Sequence, residues 1–326
     1  MSYDSELKAL LTVLEATYGT DPGSGHQGIL INKGSEIKPT GDKRVRDTVN
    51  WNRSPSGHVI GAKGYDLKLP IELKGGGIDG TLRKPEIDHL LQACAMSVEA
   101  GYVIALTSVT GTPDDSWIYA PLSDRTAMKS LTAYFHHDGF KYPVTGVRGT
   151  FELEMTVGGY GLFNFDMKGI YNDPTNIPIP QAAVYDHDPE PCENAGLQIA
   201  SVDMTKTAVN SLKLRIGNEV KVRNDINAAD GRKGLEISGM RNAGGSVDPE
   251  AIALTDFDPF TAWKDGTAQK IYATIGQSTG NRCRPLVRAA QYEEVSVGGR
   301  EGNQAYELPF IAKGVNGDDE LMLIFY

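Results

Sequence analysis

A glycine-rich stretch in the first third of the chain has the spacing of a nucleotide-binding loop. Residues 75–80 read GGGIDG, which matches the G-x-G-x-x-G pattern that cradles the pyrophosphate of a dinucleotide. A predicted strand precedes the stretch and a predicted helix follows it. Five residues ending in Pro85 separate the last glycine from that helix, so the helix N-terminus would not reach a phosphate. We interpret the stretch as a flexible glycine loop without a nucleotide.

Two acidic stretches contain the residue types that bind metal ions. Residues 225–231, followed by Glu236, approach a calcium-binding loop, but the third ligand and the glycine each come one position too late. Residues 186–193, DHDPEPCE, offer several ligand types, yet two prolines interrupt them and no regular ligand spacing is present. We therefore predict a solvated loop and a linker at these places, with no metal and no cofactor.

No arrangement of residues predicts an active site. His136 and His137 precede Asp138 and Gly139 between two predicted strands, which is typical of a hairpin turn. The chain has no H-E-x-x-H and no Walker loop, and its six histidines are scattered. The sequence predicts a protein that is not an enzyme.

Charge and composition exclude further classes. The 326 residues carry a net charge of −10, which argues against a protein that grips nucleic acid through a basic patch. This charge does not exclude a protein past which nucleic acid slides without sticking. No apolar run is long enough for a transmembrane helix and there is no signal peptide, so we expect no membrane span. Three cysteines at unrelated spacings predict free thiols and synthesis in a cytoplasm.

Short apolar runs separated by glycine and proline predict a mainly β protein with few helices. Residues 65–74 alternate apolar and charged side chains, as in a strand with one dry face, and Pro70 suggests an edge or bulge there. Helical spacing of leucines predicts a helix over Ser5–Tyr18. Two more helices are predicted, one after Pro85 and one from Asp258 to Gly266. In the second half of the chain, strands are predicted at 211–216, 234–238, 271–275, 286–297 and 306–312.

The length of the chain predicts two domains. We place the first at 1–172, with the N-terminal helix and an insertion near 98–128. A proline-rich linker follows at 173–205, and the second domain occupies 206–326.

One stretch of the sequence occurs twice. VRGTFELEMTVGG runs from Val147 to Gly159, and VRAAQYEEVSVGG runs from Val287 to Gly299, so the two stretches are separated by the same distance at both ends. Aligning 130–159 with 270–299 pairs seven identical residues, and polar segments at 33–57 and 218–232 each precede a Lys-Gly strand. We interpret this as a duplicated domain; coincidence between two β-rich segments is the alternative, because Val-Gly-Gly and Lys-Gly are common turn and strand signals.

Four segments resemble the major tail (tail tube) protein of long-tailed, siphovirus-type bacteriophages. They are SYDSELKALLTVLEATYGTDP, YFHHDGFKYPVTGVRGTFELEMTVGGYGLFNFDMKGIYNDPT, LRIGNEVKVRNDINAADGRKGLEISG and GDDELMLIFY. The resemblance implies two tandem β-sandwich domains with short flanking helices, whose sheets join around a ring into a β-barrel. Members with a duplicated domain are expected to form trimeric, pseudo-hexameric rings.

The resemblance also implies a function and partners. Rings would stack into the tail tube of a virion, a conduit for genome DNA during ejection into the host. Tape measure, terminator and distal tail proteins are the implied partners, and DNA would pass transiently and without sequence specificity. Synthesis and assembly would take place in the host cytoplasm.

A tube lining should repel phosphate, which suggests carboxylates on polar strand faces. The lumen candidates are Asp66, Glu72, Glu152, Glu154, Glu236 and Glu294; outward exposure to solvent is the alternative for each. The polar segments before the Lys-Gly strands suggest arms that contact the next ring. The inter-ring candidates are Arg44, Arg46, Trp51, Arg223, Asp225 and Asp230.

Two other functions fit parts of the sequence. The inner tube of a contractile tail or of a secretion apparatus would use the same self-assembly. A soluble β-sandwich that binds carbohydrate would need clustered aromatics, whereas the three tryptophans are far apart in the sequence.

Overall fold

The computed structural model describes residues 4, 6–49, 51–100, 116–181, 184–185, 187–200 and 202–326. These residues form a mainly β protein with two short α-helices.

The elements of the first half of the chain include one helix, α1, between β6 and β7. In chain order they are β1 Lys8–Leu14, β2 Gln27–Ile29, β3 Glu36–Val45, β4 His58–Glu72, β5 Ile78–Asp79, β6 Thr81–Leu82, α1 Asp88–Ala93, β7 Met96–Ala100, β8 Trp117–Pro121, β9 Leu131–His137, β10 Phe140–Thr156 and β11 Leu162–Tyr171.

The remaining elements include the second helix, α2, between β18 and β19. In chain order they are β12 Thr175–Asn176, β13 Gln198–Ile199, β14 Val202–Asp203, a 3₁₀ turn Met204–Lys206, β15 Val209–Arg215, β16 Val220–Asn224, β17 Arg232–Ile237, β18 Gly244–Pro249, α2 Pro259–Lys264, β19 Gln269–Tyr272, β20 Cys283–Tyr292, β21 Ser296–Arg300, β22 Asn303–Ala312 and β23 Met322–Phe325.

The predicted N-terminal helix over Ser5–Tyr18 is wrong, because this segment forms strand β1. All seven residues of β1 pair with β9, from Lys8 opposite His137 to Leu14 opposite Leu131. Thr12 is fully buried, whereas Leu7, which belongs to the expected helical stripe, is largely exposed. Pairing within the sheet has therefore overridden the helical spacing of the leucines.

The other predicted elements are confirmed, with changed bounds. The strand predicted over 65–74 belongs to the longer β4, and the run 286–297 is divided between β20 and β21. Helix α1 follows Pro85 as expected, and Asp258 caps α2 by accepting hydrogen bonds from the backbone N–H groups of Phe260 and Thr261. Residues 101–115, about half of the predicted insertion near 98–128, lie outside the described residues. Its flanks form β7 and β8, which pair antiparallel.

The first half contains two sheets that share strand β10. One sheet has the order β2–β1–β9–β10, and the other has the order β3–β4–β11–β10. Their facing side chains, such as Phe135 of β9 and Leu69 of β4, belong to one buried core. The result is a β-sandwich, because a strand that passes from one layer to the other joins the two sheets.

Strand β10 changes layer at a bulge between Thr145 and Arg148. Gly146 adopts a φ of +61° in the bulge, where a Cβ would meet the Tyr18 hydroxyl at 2.8 Å. The buried Glu15 carboxylate accepts a hydrogen bond from the Gly146 N–H at 2.7 Å and also binds Ser130 and Thr132. The bend thus depends on a glycine conformation and on one buried acid.

The second half repeats this strand order and register. Its sheets have the orders β14–β13–β19–β20 and β15–β18–β22–β20. Val147 lies opposite Leu131 in the first half, and Val287 lies opposite Ile271 in the second. Val287 follows Val147 by the same number of positions as Ile271 follows Leu131. We call this number of positions the repeat offset.

Two strand pairings connect the halves into one continuous structure. Residues 152–156 of β10 pair with β15, and β8 pairs with the C-terminal β23. Within the described residues, following the pairings from strand to strand never leads back to the starting strand, so the sheets do not close into a barrel. The segment predicted as a linker, 173–205, contributes β12, β13 and β14 to these sheets.

Gly149 offers a test of the packing between β10 and β11. A Cβ at this position would collide with the Met167 sulfur and would lie 2.5 Å from the Asp166 carbonyl oxygen, which is backbone and cannot easily yield. We predict that Gly149→Ala lowers the free energy of unfolding by about 1–3 kcal/mol, as overpacking does. Denaturant unfolding measures the change. Gly298→Ala is the matched control, because a Cβ there has no atom within 4 Å. Equal stability of the two variants would contradict the described packing.

Candidate functional site

The sheet that crosses the two halves has one face that is not covered by the core. We call this the polar face and define it by the outward residues of β4, β11, β10 and β15. Four of the predicted lumen residues, Asp66, Glu72, Glu152 and Glu154, lie on it together, because each occupies an even-numbered position whose odd-numbered neighbours are buried.

Cations also lie on the polar face, and four of them have a carboxylate directly opposite on the next strand, whereas Arg148 of β10 lies opposite Lys168. Lys68 faces Asp166 and Lys168 faces Asp66 across β4 and β11. Across β10 and β15, Arg215 faces Glu152, and Lys213 binds Glu154 with its ammonium 2.7 Å from a carboxylate oxygen. The hydrogen bond and the charge of Glu154 raise the pKa of Lys213. The polar face therefore carries neighbouring opposite charges.

The other two predicted lumen residues lie elsewhere. Glu236 is on β17, where its carboxylate lies 2.8 Å from the Arg125 guanidinium and 3.7 Å from that of Arg223. Glu294 follows the end of β20, is exposed and accepts a hydrogen bond from the Ser296 hydroxyl. Neither belongs to the group of four on the polar face.

The predicted inter-ring residues lie on two β-hairpins. The first arm consists of β3, β4 up to Lys63, and the connection 46–57; it carries Arg44, Arg46 and Trp51. The Trp51 side chain is 95% exposed. The second arm consists of β16, β17 and the connection 225–231.

The second arm carries Arg223, Asp225 and Asp230. The Asp225 carboxylate accepts a hydrogen bond from the Asn227 N–H, which lowers its pKa, and it lies 3.6 Å from the Lys233 ammonium. The Asp230 carbonyl oxygen accepts a hydrogen bond from the Lys63 N–H on the first arm.

The second arm is packed against the first half of the chain. The Tyr18 hydroxyl accepts a hydrogen bond from the Leu235 N–H at 2.5 Å and donates one to the Gly146 carbonyl. Arg148 donates to the Leu235 carbonyl at 3.2 Å. This packing leaves Leu235 only 4% exposed, and burial raises the pKa of Tyr18. The apolar side chains of the first arm are less well covered, since Val59 and Ile60 are more than half exposed.

The stretches that suggested other chemistry have structural explanations. Gly75 and Gly76 are buried, and added Cβ atoms would strike the backbone carbonyls of Gly280 and Arg83. This loop is therefore packed rather than flexible, and its glycines allow close backbone contact. His136 and His137 end β9 and lead into the predicted turn, and burial lowers the pKa of His136.

Neither a metal cluster nor a membrane helix is found in the part of the chain that is described. No group of three or more His, Cys, Asp or Glu side chains is placed to hold a metal ion there. The helices in those same residues are too short and too polar to cross a bilayer.

Comparison with known families matches residues 6–312 to the phage tail tube proteins. The chain belongs to the phage tail tube protein family. No curated protein matches the chain. As a tail tube protein it is a structural component of a virion tail, and self-assembly is its task. Its candidate functional surfaces are the polar face, the two arms and the edges of the sheet.

The sequence predicted part of the polar face of the tail tube protein. Alternation along β4 and β10 identified the four carboxylates of the polar face. It did not identify their cationic partners as a set, because Lys213 and Arg215 come from the second half and only the pairing of β10 with β15 brings them opposite Glu154 and Glu152. The burial of Leu235 and the exposure of Ile60 also depend on tertiary packing.

Proposed function

We propose that three chains close into a ring with pseudo-sixfold symmetry, and that such rings stack into a tube through which phage genome DNA is ejected. Two observations support this proposal. The two halves have the same strand order, so three chains would supply six similar sandwiches. The sheet also runs without interruption from β3 through β4, β11, β10, β15, β18 and β22 to β20, and it ends in open edges that a neighbour could extend.

The dimensions of such a ring suit DNA passage. Three chains of eight strands would give 3 × 8 = 24 strands in one barrel. With a strand spacing of about 4.8 Å and a tilt of about 40°, the diameter of that barrel, taken between backbones on opposite sides, would be roughly 48 Å. Side chains narrow the opening, but a channel wider than a DNA duplex remains.

The polar face is proposed to line this channel. A lining of unpaired lysines and arginines would bind the phosphate backbone through counterion release and would retain the DNA. On the polar face Lys68, Lys168, Lys213 and Arg215 each lie opposite a carboxylate, so little free positive charge would be presented to the phosphates. Asp66, Glu72, Glu152 and Glu154 are accordingly the proposed lumen residues.

The arms are proposed to connect successive rings through Arg44, Arg46 and Trp51 on the first arm and Arg223, Asp225 and Asp230 on the second. The tube would be the non-contractile tail of a siphovirus-type phage, assembled in the host cytoplasm. The ends of the tube and its interior would contact terminator, distal tail and tape measure proteins.

Electron microscopy of the purified protein over a concentration series tests the ring. We expect end-on views with six lobes around a pore, and a ring mass equal to three chains by mass photometry. Monomers without rings at every concentration would overturn the proposal. Rings of six chains would overturn the trimeric assembly and leave the tube intact.

Charge reversal on the polar face tests the lumen. Glu152→Lys removes the partner of Arg215 and adds a further cation to the same face. We predict that tubes of this variant retain short duplex DNA in co-sedimentation at low salt, and that retention falls steeply as salt rises. Glu301→Lys, in the exposed turn between β21 and β22, is the control with the same charge change. Equal DNA retention by the two variants would place the polar face outside the channel.

Trp51 tests the contact between rings. Buried tryptophans at interface centres often contribute about 2 kcal/mol or more, which corresponds to roughly a 30-fold change in affinity. We predict that Trp51→Ser leaves rings intact but raises the concentration needed for tube growth by about that factor. Light scattering measures the threshold. Met240→Ser is the control, because Met240 is also almost fully exposed in the single chain. An unchanged threshold for Trp51→Ser would contradict the inter-ring role.

A further inference from the structure

We infer that the contact between the two halves of one chain is repeated between chains, so that residues 31–35 of one chain pair with residues 292–296 of a second copy. The inference rests on the proposed ring and identifies the edges that close it.

Strand β10 carries the contact between the two halves inside the chain. Residues 152–156 of β10 pair with 211–215 of β15, from Glu152 opposite Arg215 to Thr156 opposite Ser211. The repeat offset between β10 and β20 makes 292–296 the counterpart of 152–156. In the described residues, no strand pairs with 292–296 on the side that corresponds to β15.

The strand registers also identify which residues of the first half correspond to β15. Leu69 of β4 lies opposite Phe165, and Gly244 of β18 lies opposite Ile311. Phe165 in turn faces Phe151, and Ile311 faces Gln291. Since the repeat offset relates Phe151 to Gln291, Leu69 corresponds to Gly244.

Arg215 of β15 lies opposite Gly244. In the first half, Glu36 of β3 lies opposite Lys68. If this register continues by one residue, Ser35 lies opposite Leu69. Ser35 therefore corresponds to Arg215, and Lys33 corresponds to Lys213. Residues 32–35 form a turn in the single chain, closed by a hydrogen bond from the Ser35 N–H to the Asn32 carbonyl. Pairing with a neighbour would extend β3 through these residues.

Charge supports this match. Glu154 binds Lys213 at 2.7 Å inside the chain, and the corresponding residues are Glu294 and Lys33. In the single chain both are exposed, and Lys33 has only a surface ion pair with Glu6. A second acid, Glu293, lies beside Glu294. A second cation, Lys8, lies beside Lys33 and donates to the carbonyl oxygens of Lys33 and Ser35.

The arms give independent support. Leu235 of the second arm lies nine residues before Gly244, and Ile60 of the first arm lies nine residues before Leu69. They also occupy corresponding hairpin pairs, Leu235 opposite Val222 and Ile60 opposite Lys43. Leu235 is buried against the first half, whereas Ile60 is 54% exposed. The second half of a neighbouring chain, around Arg288 as the counterpart of Arg148, is the surface that would cover Ile60.

Disulfide trapping in assembled rings tests the paired edges. The full chain with Cys192→Ser would carry Lys33→Cys with Glu294→Cys, or Ile31→Cys with Glu294→Cys to allow for a shift of two residues at the turn. Directly opposed positions in antiparallel strands lie within disulfide range. After mild oxidation we expect dimers and trimers on non-reducing gels for at least one pair. The control pair, Lys33→Cys with Lys264→Cys, should give none.

A matched pair of serine substitutions tests the arm. Ile60 and Ile78 are both 54% exposed, so neither Ile60→Ser nor Ile78→Ser should alter the melting temperature of the monomer strongly. We expect Ile60→Ser to reduce the ring fraction at least tenfold at fixed concentration and Ile78→Ser to leave it unchanged.

The outcomes separate the two proposals. Normal rings without a cross-link in either pair, or with an unaffected ring fraction in Ile60→Ser, would overturn the inferred edges while the ring stands. A wild-type protein that forms no rings would overturn the proposed ring and this inference together.

Discussion

A bend in one strand determines how the rest of the molecule is arranged. The seventeen-residue strand β10 pairs with β9 in one sheet and with β11 in the other, and its last residues pair with β15 of the second half. The bend at Gly146 allows one strand to serve both layers. Glu15 supports it by accepting hydrogen bonds from four donors, the N–H groups of Gly19 and Gly146 and the hydroxyls of Ser130 and Thr132. A buried carboxylate is costly without such partners, so this cluster stabilises the bend only as a complete set.

The bend also explains why the strand edge and the arm are covered in one half of the chain and exposed in the other. Because β10 extends past the bend, it offers an edge to β15, and the second arm then packs over Tyr18 and Arg148. In the described residues no strand covers the equivalent edge after β20, where Trp263 of α2 donates one hydrogen bond to the Glu293 carbonyl, and the apolar side chains of the first arm are exposed. An open edge with exposed apolar residues is an aggregation hazard in a monomer. In a protein whose halves contact each other head to tail, the same features allow a ring to close.

The sequence predicts the local elements well where the pattern is set by burial on one face. The alternation in β4, the cap of α2 and the repeat of β10 in β20 are all readable without a structure. Strand β1 is not, because a leucine spacing that fits a helix over Ser5–Tyr18 also fits a strand when Thr12 takes a buried position. The place of Glu236 after Leu235 suggests the lumen, but β17 is part of an arm and its acid pairs with arginines. Periodicity along a segment reports which of its faces is apolar and not which strand lies next to it, so neither of these pairings could be predicted from the sequence.

The mixed charge of the polar face follows from two competing requirements. A lining made only of acids would repel DNA most strongly, but carboxylates about 5 Å apart on adjacent strands repel each other by roughly 0.8 kcal/mol per pair even at the dielectric constant of water. This repulsion would recur around the ring and along every ring of a tube. Placing Lys213 opposite Glu154, and likewise Lys68, Lys168 and Arg215 opposite acids, turns these contacts into attractions. Each cation is then already neutralised by a neighbour, so a passing phosphate gains little by binding it. In the proposed tube, this arrangement would keep the assembled barrel stable and would still present DNA with a surface to which it does not adhere.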